Sequence, residues 1–441
     1  MVGIGLHSHT LRGAEKCRRE GTHLFENRNT LLVVAARFIS RVGGTAVFFV
    51  GVWGVAAYTF HASAKTLAFV MAGNSIASII GSVAAGLLVD RVGPRRVLIV
   101  AELLTIPVVV ALVFSHSWAT FVGLAWLLGL VGTPTFTAGA SFAPFLVSGP
   151  KELERVNAAV EGAGSAGFVL GPAIGAFLAK LFGVPTVFWL MAVCSIAAAL
   201  IASFVKLDLS ALREQHHPFA ELKDGLKIAY SNRTLRYVIL SGTAVWFGFG
   251  AFSALEPLFY RDVVHVGVEW IGWMNTAFSF GLIGGAWFLT KLPSKLISVR
   301  GLALATALCG LGAVAYVGST DLRVIAVGAA AWGLVIGIAE PLMRTVMQIA
   351  SPEGYVGRVI GTAQYHRSAG ELVPLAYAPA LAAAFGVQVT LIAGGIVVAV
   401  GVLATWPIAK SIDAELAREG RRLSSPVLAG EAHVGLGDEL L

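Results

Sequence analysis

The sequence predicts an all-α membrane protein whose twelve transmembrane helices form two six-helix halves, and three observations support this fold class. First, 56% of the 441 residues are hydrophobic and only 13% are charged, whereas a soluble domain carries about 25% charged residues. Second, apolar runs recur from residue 31 to residue 408, each of roughly the 20 residues that a helix needs to cross a hydrocarbon core of about 30 Å. Third, the two halves repeat related segments. The alternating pattern of a membrane β-barrel is missing.

Each expected span is an apolar run between polar residues, and polar segments between spans divide the chain. The segment 206–236 is the longest of these, so we expect a tail 1–30, a first half 31–205, a central loop 206–236, a second half 237–408 and a tail 409–441. The last tail is charged and carries Ser and Gly, which predicts disorder. The expected spans are 31–58, 66–89, 97–116, 119–147, 157–180, 184–205, 237–259, 270–290, 301–318, 322–345, 360–384 and 388–408.

Lysine and arginine are distributed unevenly between the two sides of the membrane. Of 32 such residues, 25 fall in the tails, in alternate loops or at the adjoining span ends on one side, and the loops and span ends of the opposite side hold only Lys65, Lys180, Arg261 and Arg323. Because positively charged loops stay in the cytoplasm, we expect both termini there, in a multi-pass protein of the inner (plasma) membrane. The net charge of +7 is thus a topology signal, and no nucleic-acid partner is expected.

Two pairs of segments indicate an internal repeat. Residues 81–96, which end the second span, resemble residues 281–295, which end the eighth span 200 positions later. A second match, 203 positions apart, carries residues 165–167 onto 368–370, and it also carries Phe182-Gly183 onto Phe385-Gly386. Paired six-helix halves around a midplane site are typical of transporters in which one half rocks against the other.

The strongest motif is Gly86-x-x-x-Asp90-Arg91-x-Gly93-x-Arg95-Arg96, in a short loop after the second span. A glycine at Gly86 permits close helix approach. Asp90 can accept hydrogen bonds at a neighbouring helix N-terminus, where the dipole favours an anion, and the arginines can pair with it. A cluster of cations that stops translocation would explain the arginines but not the glycine and aspartate at fixed spacing. We therefore favour a functional interpretation.

The fifth span carries Gly164-x-x-Gly167-x-x-x-Gly171-Pro172-x-x-Gly175. Glycines at about helical spacing make a groove, and a proline frees a carbonyl and bends the helix. Tight packing against a neighbouring helix explains the same glycines. The residues alone leave both interpretations open.

With these motifs the sequence resembles the major facilitator superfamily, from about residue 30 to residue 408. The resemblance implies the major facilitator fold and places the loop motif at a gate that closes the cytoplasmic side. The fifth-span motif is similar to one found in exporters of this superfamily, and it implies efflux. The matching gate positions are Gly86, Asp90, Arg91, Gly93 and Arg95, and the matching fifth-span positions are Gly167, Gly171, Pro172 and Gly175.

Looser patterns over 29–43, 224–236 and 348–358 resemble the drug:proton antiporter branch that holds macrolide and enterobactin exporters. Two departures bear on the coupling mechanism. The residue after Gly43 is Gly44, where that branch often carries an acidic residue, and residues 124–127 lack the arginine of many proton-coupled exporters. Coupling through the branch's usual residues is therefore not expected.

Charged residues inside the spans each need a reason, because they cost at least ~2.5 kcal/mol at membrane depth. Proton coupling requires a carboxylate that alternates between charged and neutral forms as a nearby cation or water access changes. Ion pairs that fix helix register are the alternative, favoured for Arg37, while Glu256 at the outer end of the seventh span is expected to be exposed at the interface. The coupling candidates are Arg41, Glu161, Glu340, Arg367 and Glu371, of which Arg367 and Glu371 can pair at i,i+4.

Aromatic residues in the first, seventh and tenth spans are candidates for an apolar substrate cavity. Most aromatic residues in such helices face lipid or neighbouring helices, and that interpretation is favoured for the group. The candidates are Phe49, Trp53, Trp246, Phe249 and Trp332.

The expected function is export of an amphipathic small molecule, such as a drug or siderophore, in exchange for protons. No Gly-x-x-x-x-Gly-Lys-Ser/Thr loop appears, so ATP is not the expected drive. No nucleophile–base constellation or metal-ligand spacing stands out, so we expect neither an enzyme nor a cofactor. The alternatives are a proton-coupled importer of a nutrient or metabolite and a lipid flippase. The expected partners are the substrate, protons and the bilayer, and the expected state is a monomer.

Overall fold

The structure is a computed structural model that describes residues 27–147, 149–207, 218–293, 296–352 and 355–418. Within these residues a long helix lies at each predicted span. These helices are α1 (Arg28–Thr59), α2 (Ala64–Val92), α3 (Pro94–Val113), α4 (Trp118–Ala140), α5 (Pro150–Phe182), α6 (Pro185–Ser203), α7 (Arg233–Val264), α8 (Glu269–Leu289), α9 (Val299–Val317), α10 (Leu322–Ala350), α11 (Val356–Phe385) and α12 (Val387–Ala404).

Hydropathy separates α8 from the other long helices. Among the described residues, eleven helices are long and apolar enough to cross a membrane, and α8 is not one of them. It has 21 residues, but Glu269, Asn275, Thr276 and Ser279 lower its hydropathy. The predicted all-helical membrane fold is confirmed, and the eighth predicted span is present as a helix that is less apolar than the rest.

Two of the long helices are not α-helical throughout. The C-terminal part of α1 contains π-helical segments at Val47–Val52 and Val55–Thr59, and α7 ends in another at Phe259–Val264. Such segments often occur at functional sites. In α1 the first of them carries Phe49, one of the aromatic residues that the sequence singles out, and its neighbour Phe48.

Shorter helices lie in the two segments that the sequence treats as polar. Pro218–Ser231 forms a helix in the central loop, and Trp406–Arg418 follows α12. The predicted disorder after residue 409 is therefore wrong up to Arg418, and the remainder of that tail lies outside the described residues. The helix is held because Ala409 and Ile412 are buried and because the Asp413 carboxylate accepts the backbone N–H groups of Val299 and Arg300 at the start of α9.

The chain divides into two compact units. The first holds the described residues of Met1–Val55 and Gly73–Gln215, and the second those of Ala56–Ala72 and His216–Leu441. The segment Ala56–Ala72 therefore groups with the second unit, although its sequence belongs to the predicted first half. Within that unit the Arg261 guanidinium donates to the carbonyl oxygens of Ala57 and Ala62.

Three glycines with positive φ form tight connections between helices. Gly93 (φ 81°) joins α2 to α3, Gly183 (φ 85°) joins α5 to α6, and Gly386 (φ 86°) joins α11 to α12. Other residues adopt such φ values at a cost. Gly183 and Gly386 are partners in the predicted repeat, and their ψ values of 161° and 158° also agree.

The repeat extends to packing inside each unit. A Cβ on Gly81 of α2 would lie 2.4 Å from the Leu130 carbonyl oxygen of α4, and a Cβ on Gly281 of α8 would lie 2.0 Å from the Ala330 carbonyl oxygen of α10. Both members of the contact thus recur 200 positions later. Only glycine allows the backbones to approach this closely, so the sequence repeat reflects one helix pairing made twice.

Candidate functional site

The first unit contains a cavity of about 400 Å³ between α1, α2, α4, α5 and α6. Its polar lining includes Asn74, Ser78 and Thr133, and none of the described residues that line it is acidic. Size and mixed lining match the usual character of small-molecule sites. The cavity is also lined by two cationic and four aromatic side chains, those of Arg37, Arg41, Phe48, Phe49, Phe136 and Phe168.

Arg37 and Arg41 project from one face of α1 into this cavity. The Arg41 guanidinium lies between two rings, 4.8 Å from the Phe136 centroid and 5.2 Å from the Phe168 centroid. Arg37 is only 4% exposed and donates to the Phe136 carbonyl oxygen at 2.8 Å, while its buried Nε has no hydrogen-bond partner among the described residues. Neither arginine forms an ion pair within the described part of the chain, so the cavity is cationic.

The glycines of α5 let that helix lie directly against α1. A Cβ on Gly167 would lie 2.8 Å from the Arg41 Cβ, and a Cβ on Gly171 would lie 2.0 Å from the Thr45 Oγ1. The Thr45 hydroxyl also lies 3.2 Å from the Gly167 carbonyl oxygen, within donating distance. The packing interpretation of this motif therefore holds at Gly167 and Gly171, and Gly175 meets Ala46 in the same way. The helix continues through Pro172 without a break.

The second unit holds a compact charge cluster on α10 and α11. The Arg367 guanidinium pairs with Glu340 at 3.1 Å and with Glu371 at 3.5 Å. It also stacks on Trp246 of α7, 3.5 Å from the ring centroid. The pairing predicted for Arg367 and Glu371 is confirmed, and the structure adds Glu340 to it. One cation thus faces two carboxylates.

The fifth coupling candidate, Glu161, lies apart from any such pair. It is on α5 with its side chain exposed. Its charge acts on Arg37 and Arg41, yet it forms no ion pair with a described residue.

The five aromatic candidates have different surroundings. Phe49 lines the cavity of the first unit, whereas Trp53 is buried against Phe49, with ring centroids 5.3 Å apart. Trp246 carries the stacked Arg367. Trp332 is buried in an aromatic cluster, 4.9 Å from the Phe252 centroid. The side chain of Phe249 lies outside the described part of the structure.

The gate motif is arranged differently from its predicted pairing. The Arg95 guanidinium donates to the Ala202 and Ser203 carbonyl oxygens at the end of α6, where a cation satisfies free carbonyls and the helix dipole. Asp90 is exposed in the last turn of α2 and forms no ion pair with a described residue, so the predicted pairing with the arginines is not found. The helix contact expected at Gly86 is also wrong here, because a Cβ there would meet no atom within 4 Å.

The sequence interpretation missed one buried carboxylate and misplaced another. Glu102, near the middle of α3, is fully buried beside the hydroxyls of Ser40 and Ser195, and neither carboxylate oxygen forms a well-aligned hydrogen bond with a described residue. A single acidic residue within the apolar run 97–116 was the signal for it. Glu256 is only 6% exposed, so its predicted interfacial exposure is wrong. The Tyr316 hydroxyl donates to it at 2.6 Å, Asn275 lies at 3.5 Å, and Tyr316 also bonds Tyr260.

Repeated helical halves, an internal cavity and charges within apolar helices are features of transport proteins. Transport proteins of this kind are not enzymes. The sequence matches the family described as Major Facilitator Superfamily over residues 33–374. The chain belongs to that family, which confirms the resemblance drawn from the motifs.

The relatives agree with this family, and the solved structures are similar in fold. The chain is 27% identical over 350 residues to the multidrug efflux pump Tap of Mycobacterium tuberculosis, covering 75% of this chain and 82% of the relative. With Tap of Mycolicibacterium fortuitum it shares 27% over 392 residues, 82% of this chain and 91% of the relative. In fold it is similar to a point mutant of the nucleoside transporter NupG, with TM-score 0.68, 10% identity and coverage of 85% of this chain and 99% of the other. A point mutant of the peptide transporter POT, in complex with alafosfalin, gives a TM-score of 0.69 at 13% identity, with coverage of 87% and 95%.

Proposed function

We propose that this chain exports amphipathic small molecules by alternating access, in exchange for protons. Membership of the Major Facilitator Superfamily supports transport, and the relatives named multidrug efflux pumps support the outward direction and the drug-like substrate. The observation that carries the proton part is the cluster of Arg367, Glu340 and Glu371.

The charge balance of this cluster is the reason why we assign proton binding to it. One guanidinium compensates one carboxylate, so the cluster holds one negative charge in excess when both glutamates are ionised. An uncompensated charge inside a membrane protein is costly, and a bound proton removes the excess. Release of that proton would need a conformation in which water reaches the cluster or Arg367 moves closer to the second carboxylate. A charge moving through 100 mV supplies about 2.3 kcal/mol, which sustains a roughly fifty-fold substrate gradient.

The remaining parts of the proposal concern direction, orientation and gating. Both termini lie in the cytoplasm, as the distribution of lysine and arginine favours, and the protein acts as a monomer in the inner (plasma) membrane. Asp90 acts at the cytoplasmic gate; its exposed position leaves it free to engage another helix end in a different conformation. Import of a nutrient and lipid flipping are the alternatives, and no contact in the described residues favours either.

The test is uptake into reconstituted vesicles, with amphipathic fluorescent probes of negative, neutral and positive charge. Transport by the native chain should rise severalfold when a pH difference is imposed. Glu371→Gln and Glu340→Gln should each abolish that dependence, because each leaves one carboxylate opposite one guanidinium, with no excess charge for a proton to neutralise. Glu415→Gln is the matched control, because Glu415 lies in an exposed ion pair with Arg233.

Substrate movement that ignores the pH difference in the native chain would overturn proton exchange. Accumulation that follows the pH gradient in the same direction as proton flow would replace export with proton-coupled import. Loss of the dependence in Glu415→Gln as well would mean that the effect is not specific to the cluster.

A further inference from the structure

The cavity of the first unit has a charge that its own lining does not balance. Two guanidiniums, those of Arg37 and Arg41, lie one helical turn apart on α1, where like charges repel. None of the described residues that line the cavity is acidic. The carboxylate that acts on them, Glu161, is exposed and forms no ion pair with a described residue.

The surroundings of Arg41 hold its guanidinium plane without using its hydrogen-bond donors. Phe136 and Phe168 lie on it at 4.8 and 5.2 Å, and no hydrogen bond joins it to a described residue. Cation–π contacts of this kind hold a guanidinium in place and leave its N–H groups available for hydrogen bonds to an anion. Arg37, which also lines the cavity, adds a second positive charge, while its Nε is buried against Gly164 of α5.

The rest of the lining suits the apolar part of the same molecule. Phe48 and Phe49 contact each other edge to face, 5.1 Å between centroids, and both line the cavity. Phe49 also contacts Phe168, at 5.8 Å, so an aromatic wall runs from the cavity to the guanidinium of Arg41. A ring bound there would place an attached anionic group near the arginines.

We propose that the cavity of the first unit binds amphipathic organic anions, with Arg41 contacting the anionic group and Phe48 and Phe49 contacting the apolar part. This inference rests on the proposed export function and names its substrate class: sulfonates, carboxylates or phosphates that carry an aromatic ring, in preference to organic cations. The geometry needs no change of covalent bonds.

The test uses two permanently charged probes of matched shape, naphthalene-2-sulfonate and trimethyl(naphthalen-2-yl)ammonium. Equilibrium binding to the purified protein in lipid nanodiscs should favour the sulfonate. Arg41→Gln should weaken sulfonate binding about 30-fold, which is the scale expected when one partner of a desolvated charged contact is removed. Arg41→Lys should restore part of the affinity, because it keeps the charge but not the planar donor edge.

The control is Arg323→Gln, which removes a cation at the N-terminal end of α10, away from the cavity lining. Equal binding of the two probes, or sulfonate binding unchanged in both Arg41 variants, would overturn the proposal. Thermal unfolding of each variant separates loss of binding from loss of fold. Transport of the same two probes is measured in parallel. Sulfonate binding without gradient-driven transport would contradict the export function and leave the binding site standing. Transport of the ammonium probe alone would contradict the binding site and leave the export function standing.

Discussion

The same helix pairing occurs in both units of this protein, and it carries different charges in each. In the first unit, Gly167 of α5 packs on α1 beside Arg41, and in the second, its repeat partner Gly370 of α11 packs on α7 beside Trp246. Arg41 lies between phenyl rings without an ion pair to a described residue, whereas Arg367 stacks on Trp246 and pairs with two glutamates. The backbone contact is therefore the same in both units, whereas the charged side chains beside it differ. This difference allows the two units to have different functions.

The largest effect should come from filling the shared contact. Gly171→Leu would drive a side chain into the Thr45 hydroxyl and the Val42 carbonyl oxygen, which lie 2.0 and 2.6 Å from its Cβ position. We expect a loss of about 3 kcal/mol or more in the free energy of unfolding, seen as a large drop in melting temperature or yield. Gly162→Leu, on the same helix with no atom within 4 Å, is the control, and a similar loss there would refute the contact.

Replacing each arginine separately should show that Arg367 has counter-charges and that Arg41 has none among the described residues. Arg367→Gln leaves Glu340 and Glu371 without their cation, and because these groups are partly exposed we expect a loss of about 1–2 kcal/mol in stability. Arg41→Gln removes one of two repelling cations, so its thermal midpoint should stay equal to the native value or rise slightly. Melting curves in one detergent compare the two variants, and an equal loss in both would mean that Arg41 has a counter-charge after all.

The buried carboxylates Glu256 and Glu102 offer a third comparison. Glu256→Leu removes the acceptor of the Tyr316 hydroxyl and of one Asn275 N–H, and it should cost about 1 kcal/mol because Tyr316 keeps Tyr260 and Asn275 keeps the Ile271 carbonyl oxygen. Glu102→Leu removes two desolvated oxygens that face the hydroxyls of Ser40 and Ser195 without a well-aligned hydrogen bond to a described residue, so it should be neutral or stabilising. Thermal unfolding measures both. A strongly destabilising Glu102→Leu would show that this carboxylate has a partner or a bound water that stabilises it.

The smallest expected effect separates two residues of the gate motif. Arg95→Ala loses hydrogen bonds to the Ala202 and Ser203 carbonyl oxygens, at about 1–2 kcal/mol. Asp90→Asn, at an exposed side chain, should leave unfolding unchanged within about 0.5 kcal/mol and should slow transport instead. The reverse pattern would mean that Asp90 is structural and Arg95 is not.

Much of the fold could be predicted because hydropathy acts over whole segments. A run of about 20 apolar residues has one stable solution in a bilayer, a helix, and so the spans at α1–α12 follow from the sequence. The repeat was also readable, since Gly281 and Gly386 take the places of Gly81 and Gly183 at backbone contacts and turns where a side chain does not fit.

The site was less predictable because side-chain partners depend on how helices rotate against one another. Spacing along one helix revealed the pair Arg367–Glu371, but Glu340 and Trp246 come from other helices. Averaging over a span also hides single residues. Glu102 hardly changes the mean hydropathy of its apolar run. Glu256 is near the predicted end of its span, and its hydrogen-bond partner Tyr316 lies on another helix.

The central claim is that the second unit binds the proton and the first binds the substrate. The most direct measurement is uptake of naphthalene-2-sulfonate and its trimethylammonium counterpart into vesicles, with and without an imposed pH difference, by the native chain, Glu371→Gln and Arg41→Gln. We expect that uptake by Glu371→Gln no longer depends on the pH difference but still favours the sulfonate. Uptake by Arg41→Gln should no longer favour the sulfonate but should still depend on the pH difference. Loss of both properties in either variant, or of neither in both, would contradict the account.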